Sequence, residues 1–246
     1  MKMLRSNLAL SLFCLLIAPA AQAQVYSGNI VGYYNRSVFA GDNLIANQLG
    51  TTNDTLNNVL TLGVLNGSML TEWDPGANQF LPASTFNAAT ASWSINYPLT
   101  YGGGALFYSP ASAAIMFAGE VDPALVSTAN GLEINFANWQ PNYANGLYLL
   151  SCPVPIDGAT FQEVVGRDPL NGEWVETLNE ASQTCSVTTF HTGTGWDNGA
   201  PALDVGQAAF FDLGPVVVPE PSTLTLAVLG VAALVRFRRR SCNSQA

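Results

Sequence analysis

Positive charge is almost absent from the central part of this 246-residue chain. Of the eight lysine and arginine residues, two lie in the first 23 residues and four lie beyond residue 235, which leaves only Arg36 and Arg167 between them. The seventeen acidic residues therefore give the central part a formal charge of about 15 negative. Because such a surface repels nucleic acid and anionic lipid, we expect no binding to DNA or RNA.

Histidine is equally scarce, which limits the catalytic and metal chemistry of the chain. His191 is the only histidine, so a zinc site is not expected. No Gly-x-Ser-x-Gly motif supports His191 in a catalytic triad. The run Gly102-Gly103-Gly104 precedes an apolar strand, whereas a phosphate-binding loop leads into a helix. We interpret His191 as an exposed or strand-edge residue.

The acidic residues show no pattern typical of an active site. Two pairs of acidic residues are close in sequence, Glu72 with Asp74 and Glu173 with Glu176. We interpret both pairs as parts of solvated turns and not as the two catalytic carboxylates of a glycosidase. The loops at 168–173 and 197–199 offer oxygen ligands for calcium without matching the twelve-residue calcium loop. We therefore expect no enzyme, no metal and no cofactor, and a secreted hydrolase is the less favoured alternative.

Cysteine is rare, with four residues in the chain. Cys14 and Cys242 lie near the two ends, which leaves Cys152 and Cys185 in the central part. Two cysteines in an oxidising compartment most often pair. A disulfide between Cys152 and Cys185 would close a loop of about 33 residues and stabilise the fold by about 3–4 kcal/mol. We expect this disulfide, with two buried free thiols as the alternative.

The N-terminus has the features of a cleavable signal peptide. Lys2 and Arg5 precede an apolar stretch from residue 8 to residue 18, which is too short for a permanent membrane span. Small residues at Ala21 and Ala23 then occupy the two positions that signal peptidase recognises. We predict cleavage before Gln24.

The C-terminus combines a proline motif, an apolar segment and a basic cluster. The motif is Pro219-Glu220-Pro221, where the two prolines favour an extended backbone. A helix over 224–237 would be about 21 Å long, shorter than a bilayer core of about 30 Å. The apolar residues of this predicted membrane helix include Leu224, Leu226, Val228, Leu229, Val231, Leu234 and Val235. The basic residues, which should stay cytoplasmic, are Arg236, Arg238, Arg239 and Arg240.

These three features, in this order and at the end of the chain, resemble the PEP-CTERM sorting domain of Gram-negative bacteria. The resemblance covers residues 218–240, and Pro219, Glu220 and Pro221 match its motif one for one. It implies recognition by an exosortase and transfer to the cell surface or to extracellular polysaccharide. Signal peptidase and exosortase are thus the expected processing partners, and the membrane holds the precursor through the C-terminal helix, transiently.

The part between the two signals contains an internal repeat with a spacing of about 103–105 residues. Six short segments recur in the same order; among them, Leu65-Asn66-Gly67 returns as Leu170-Asn171-Gly172, and Thr85-Phe86 returns as Thr189-Phe190. We predict two tandem β-rich, sandwich-like modules. The predicted organisation is a signal peptide (1–23), module 1 (24–110), a linker (111–118), module 2 (119–215) and the sorting signal (216–246).

Each module is predicted to be mainly β, with one short helix. The segment Thr160-Phe161-Gln162-Glu163 is a capping box, and Asp54-Thr55 is a candidate cap for the equivalent helix. The dipeptides Asn66-Gly67 and Asn171-Gly172 predict hairpin turns. The closing segments 105–108 and 208–211 predict buried strands.

The tryptophans separate two hypotheses about function. Trp93 and Trp196 occupy equivalent repeat positions, which favours packing in the core. The other three, Trp73, Trp139 and Trp174, have no such counterpart and would stack on sugar rings if exposed. We predict a non-enzymatic surface or matrix protein, and the alternative is a carbohydrate-binding module that acts on extracellular polysaccharide.

Overall fold

A computed structural model of the protein describes residues 30–214, apart from residues 52, 128–132, 136–137, 140 and 142. This part of the chain is mainly β-structure, which confirms the predicted class. Neither helix in the described residues has the length and apolar character that crossing a bilayer requires. The predicted signal peptide and sorting signal lie outside the described residues.

Seventeen strands and two helices are present in the described residues. The strands are β1 (Ile30–Val38), β2 (Gly41–Ala46), β3 (Met69–Asp74), β4 (Gln79–Phe80), β5 (Ser84–Asn87), β6 (Ser92–Trp93), β7 (Gly104–Ser109), β8 (Ala113–Val121), β9 (Val126–Ser127), β10 (Glu133–Ile134), β11 (Gly146–Leu150), β12 (Ala159–Thr160), β13 (Trp174–Asn179), β14 (Thr184–His191), β15 (Gly195–Trp196), β16 (Ala202–Leu203) and β17 (Ala209–Leu213). The helices are α1 (Leu56–Val59) and α2 (Phe161–Val165).

Two principal sheets have the same strand order. The first runs β2–β7–β3–β5–β6, with β4 also paired to β3, and the second runs β11–β17–β13–β14–β15. All of these pairs are antiparallel. In the first sheet β7 lies between β2 and β3, and in the second sheet β17 lies in the same way between β11 and β13. The residues of β7 and β17 alternate between buried and less buried positions, as the closing segments predicted.

Corresponding positions of the two sheets make the same contacts. In each, the N–H of a turn glycine donates to a phenylalanine carbonyl, and that phenylalanine ring packs against a tryptophan. The hydrogen bonds are Gly67 to Phe86 (3.0 Å) and Gly172 to Phe190 (2.8 Å). The ring contacts are Phe86–Trp93, with centroids 5.3 Å apart, and Phe190–Trp196, with centroids 5.4 Å apart.

The two Asn-Gly dipeptides form turns, but not the predicted hairpins. Gly67 and Gly172 have φ values of 82° and 89°, a left-handed conformation that glycine adopts without strain. Each turn leads into β3 or β13 and hydrogen-bonds a more distant strand, so it does not join two paired strands. The hairpin interpretation is therefore wrong, although the turn residues were identified.

The two helices begin differently. Thr160 and Glu163 form the predicted capping box on α2: the Glu163 N–H donates to Thr160 Oγ1, and the Thr160 N–H donates to Glu163 Oε2 over 2.7 Å. Helix α2 ends at Gly166, which has a φ of 80°. The N-cap of α1 is Thr55, whose side chain makes no capping hydrogen bond.

The sheet of β2 to β7 with its core is called the first half of the molecule, and the sheet of β11 to β17 with its core is called the second half. A two-stranded ribbon of β1 and β8, paired along nine residues, connects the two halves. Most of the predicted linker 111–118 is therefore strand. Ile115 and Phe117 of β8 are fully buried in the core of the first half, and Val121 joins the core of the second. The segment between the halves is thus part of the packed structure, because alternate residues of a strand share one face.

The halves also meet directly through their backbones. The Ala46 N–H donates to the Gly206 carbonyl over 2.9 Å, and the Ala208 N–H donates to the Leu44 carbonyl over 3.0 Å. The Ser151 N–H of the second half likewise donates to the Gly102 carbonyl of the first half over 2.9 Å. A third apolar cluster fills this junction, and its buried members are Leu44, Ala46, Leu149 and Ala208.

Candidate functional site

The residues predicted for export and sorting lie outside the described residues. For signal cleavage they are Ala21, Ala23 and Gln24, and for the sorting motif they are Pro219, Glu220 and Pro221. The apolar segment 224–235 and the arginines at 236–240 lie outside as well. Candidate sites among the described residues therefore lie in the β-rich part between the two signals, which is called the body below.

The expected disulfide is absent from the structure, because both thiols are free. Cys152 is fully buried in the core of the second half, where burial raises the pKa of its thiol to about 12. Cys185 is exposed on β14, and desolvation together with Glu176 raises the pKa of its thiol. One side chain faces the core and the other faces outward, so the disulfide prediction is corrected here.

His191 lies exposed at the end of β14, in agreement with the strand-edge interpretation. Its Nε2 is 4.0 Å from Oδ2 of Asp197, at a site where both side chains are about half exposed. The Thr189 N–H donates to Asp197 and helps hold the pKa of that carboxyl below its usual range. This carboxylate therefore organises the turn between β14 and β15.

Both arginines of the body are used in ion pairs that bind the fold together. Arg167 contacts both carboxylate oxygens of Glu173, a residue only 1 % exposed that also accepts the N–H groups of Leu170 and Gly214. Glu173 is thus a structural partner of Arg167, because its carboxylate is fully engaged. It does not form the solvated turn expected for the pair Glu173 and Glu176.

The second ion pair joins the ribbon to the second half. Arg36 Nη2 of β1 lies 2.7 Å from Oε2 of Glu180, whose Oε1 accepts the Leu44 N–H over 3.1 Å. Burial raises the pKa of Glu180, and the charge of Arg36 opposes this change. Since Arg36 and Arg167 are the only basic residues of the body apart from His191, its surface retains an excess of negative charge.

The three tryptophans proposed for sugar stacking are all partly buried. Trp73 packs edge-on against Phe80 and Phe210, and its Nε1 donates to the Leu147 carbonyl over 2.7 Å. Trp139 packs against the core of the second half, and its Nε1 has no partner among the described residues. Trp174 begins β13. None is an exposed aromatic platform, and none is completely enclosed.

The structure brings Glu72 and Trp73 into a cavity of about 270 Å³ at the junction of the two halves. Three separate parts of the chain form its walls: the end of β3, the segment 98–104 before and at the start of β7, and the end of β11. The lining residues are Glu72, Trp73, Pro75, Pro98, Leu99, Thr100, Gly103, Gly104, Tyr148, Leu149 and Leu150.

Glu72 is the chemically unusual group of this cavity. Its Oε1 is buried and has no hydrogen-bond partner among the described residues. Desolvation raises the pKa of the carboxyl from 4.5 to about 7. On β3, Glu72 pairs with Ala105 of β7, and Ala105 is fully buried in the core of the first half. Because directly paired residues of neighbouring strands lie on the same face of a sheet, Glu72 faces the edge of that core.

Sequence reasoning interpreted Glu72 together with Asp74 as a solvated turn, and the structure corrects this interpretation. Both residues belong to strand β3, and only Glu72 lines the cavity. The sequence near Glu72 has no signal for this site, since the other walls come from segments about 30 and 75 residues further along the chain.

Comparison with known protein families identifies the end of the chain. Residues 217–240 match the PEP-CTERM protein-sorting motif. This motif indicates an exosortase-sorted extracellular protein and implies export with a membrane-anchored precursor at the cell envelope. No curated protein and no solved structure matches the chain.

Proposed function

We propose that this protein is a non-enzymatic component of the cell surface or extracellular matrix, with a structural or interaction role. The observation that carries this proposal is the sorting motif at 217–240, which follows directly on a packed, acidic β-rich body. The motif accounts for delivery, and the body is what remains outside the cell.

Three steps lead from the precursor to the mature protein. Signal peptidase cleaves before Gln24, and the apolar segment 224–235 then holds the chain in the membrane. Arg236–Arg240 keep the end of the chain on the cytoplasmic side, because a basic cluster resists translocation. The exosortase acts at Pro219-Glu220-Pro221 and releases the body or transfers it to extracellular polysaccharide.

The charge of the body supports an interaction role with neutral or cationic partners. Arg36 and Arg167 are both engaged by carboxylates of the fold, so neither is available to bind an anionic polymer. A direct contact with a strongly anionic polysaccharide would bring like charges together. A neutral polysaccharide or a cationic surface avoids this repulsion.

The body itself is proposed to be a duplicated unit. The shared strand order, the paired glycine–phenylalanine hydrogen bonds and the equivalent phenylalanine–tryptophan contacts support this interpretation. Within this proposal the halves have fused into one body, since the ribbon of β1 and β8 and the third apolar cluster bind them together.

The first experiment is to measure the intact mass of the protein from its native producer, separately in membrane and extracellular fractions. The proposal expects an extracellular species that begins at Gln24 and ends near Pro219–Pro221. A membrane species that retains residues 224–246, with no processed form outside, would contradict both the release step and the proposed location.

Carbohydrate binding is the second candidate function, because Trp73, Trp139 and Trp174 each keep part of their surface accessible although none forms an exposed platform. Retention of the mature protein on columns of neutral glycan would support it, provided that Trp174→Ala weakens the retention. Val187→Ala, at an exposed position on β14, is the control. Equal retention of Trp174→Ala, Trp73→Phe and Trp139→Phe variants would exclude these residues as the binding surface.

A further inference from the structure

We infer that the junction cavity at Glu72 is a binding site for a small organic cation that carries a primary ammonium group. The ammonium site itself does not rest on the surface role proposed above, and only the choice of an amino sugar as the source of the ammonium group rests on it. The site is inferred from the position of one carboxylate among apolar and aromatic residues, at a place where the two halves of the molecule meet.

The buried carboxylate of Glu72 supports a cation at this site. Glu72 Oε1 is buried and accepts no hydrogen bond from the described residues. A buried polar atom without a partner lowers stability by about 1–3 kcal/mol, and more when it is charged. An ammonium N–H supplies both the missing donor and the compensating charge.

The wall of the cavity contains no positive charge to pair with Glu72. Among the lining residues, Glu72 is the one that carries a formal charge, and Tyr148 is the one other titratable residue. Both arginines of the body are engaged elsewhere, in the pairs with Glu180 and Glu173. No basic side chain of the described residues therefore neutralises Glu72, and a cation from outside can do so.

The lining of the cavity also favours an organic cation over a metal ion. Trp73, Pro75, Pro98 and Leu149 make much of the wall apolar, whereas a calcium ion needs about six to eight oxygen ligands. In the described residues, no group of three His, Cys, Asp or Glu side chains is placed to hold a metal. One carboxylate in an apolar pocket suits a singly charged ligand with a hydrocarbon part.

The size of the cavity limits the ligand. At about 270 Å³ it lies just below the range of about 300–1,000 Å³ typical of pockets for drug-sized molecules. The site therefore fits one small amine or a single amino-sugar residue, not a longer oligosaccharide.

The test compares two probes that differ in one group: ethanolamine, which carries an ammonium, and ethylene glycol, which carries a hydroxyl in its place. Calorimetry on the protein isolated from its native producer, from whichever fraction holds it, should detect ethanolamine and not ethylene glycol. Equal binding of the two probes would overturn the inference and assign the site to neutral hydroxyl groups. Absence of binding by either probe would overturn it as well.

Variants and pH provide the remaining controls. Glu72→Gln should lower the affinity for ethanolamine about ten-fold or more, because a buried charge pair is lost. Asp74→Asn, on the same strand but outside the cavity lining, should bind as the unaltered protein does. The affinity should rise from about pH 5 to pH 8 as Glu72 ionises, and an affinity that is independent of pH would contradict the role of Glu72.

Two further probes distinguish the sources of the ammonium group. Glucosamine represents an amino sugar of the matrix, and phosphoethanolamine represents a lipid headgroup. We expect glucosamine to bind more tightly, because the acidic body repels the phosphate. Preference for phosphoethanolamine would overturn the expectation of an amino-sugar source and assign the ammonium group to a lipid headgroup. The intact-mass experiment tests the surface role independently of either result.

Discussion

Glu72 affects the stability of the protein as well as its binding properties. Burial raises the pKa of its carboxyl from 4.5 to about 7, so the folded protein holds this proton more tightly than the unfolded chain does. The stability that protonated Glu72 provides is fully present below about pH 4.5 and is lost as the pH rises through about 7. The titration of one side chain therefore makes the fold less stable in alkaline solution.

We predict that Glu72→Gln stabilises the protein at about pH 8 and changes its stability little at about pH 4. The expected gain at the higher pH is about 1–2 kcal/mol, because solvent that reaches the cavity screens part of the cost of the buried charge. Urea unfolding at both pH values measures it, with Asp74→Asn as the control. An equal effect at the two pH values would show that ionisation of Glu72 is not its cause.

The ion pair between Arg167 and Glu173 is predicted to stabilise the second half. Replacing Arg167 with methionine leaves the buried Glu173 carboxylate without its cation and should lower the free energy of unfolding by about 3 kcal/mol. Thermal unfolding measures this effect. Asp168→Asn alters an exposed neighbour and should have little effect. A loss below about 0.5 kcal/mol, typical of surface substitutions, would mean that the two backbone N–H groups suffice to hold Glu173.

At the level of secondary structure, the two helix starts form a natural comparison. Thr160 caps α2 through the Glu163 N–H, and the equivalent Thr55 makes no such bond in α1. Thr160→Ala should therefore cost about 1 kcal/mol, and Thr55→Ala should cost clearly less. Chemical denaturation of the two variants side by side provides the measurement. Equal losses would contradict the difference between the two caps.

The elements that sequence reasoning identified depend on neighbouring residues. The capping box of α2 involves residues three apart, and the closing strands show their pattern within six residues, so both could be recognised from the chain alone. The pairing of β1 with β8 joins segments about 80 residues apart, so the sequence did not reveal that most of the predicted linker 111–118 is strand. The cavity of Glu72 combines three distant segments, which no local pattern indicates.

The cysteine prediction failed for a related reason. Composition and compartment favoured pairing, but the strand register and the core decide where each thiol lies. Cys152 packs with the core of the second half, and Cys185 lies on β14 opposite Leu178 of β13. A disulfide requires Cα atoms no more than about 7 Å apart, and sequence spacing cannot establish that distance.

For the whole molecule, the junction makes the two halves mutually dependent. A Cβ atom at position 104 would lie 2.6 Å from Ala208 Cβ and 2.9 Å from Leu149 Cγ, both in the second half. Gly104→Ala should lower stability by about 1–3 kcal/mol through overpacking. Gly32→Ala is the matched control, since a Cβ there meets no atom within 4 Å.

This prediction also specifies how unfolding should proceed. If the junction and the ribbon join the halves into one cooperative unit, Gly104→Ala will shift a single transition without splitting it. Far-ultraviolet circular dichroism and tryptophan fluorescence should then give the same midpoint. Two transitions, only one of which moves, would show that the halves unfold independently.

The position of β17 has a consequence for export. The last strand of the body lies inside its sheet, between β11 and β13, so the second sheet has a gap until residue 213 has crossed the inner membrane. Folding of this half must therefore wait until translocation has almost reached the sorting motif. A precursor still held by its tail would also transmit any pulling force along β17, where hydrogen bonds on both sides resist it in shear. Within the proposed function, the exosortase cuts the tail away after folding without removing a strand. The placement of β17 then sets the order of three events, which are translocation, closure of the sheet and release.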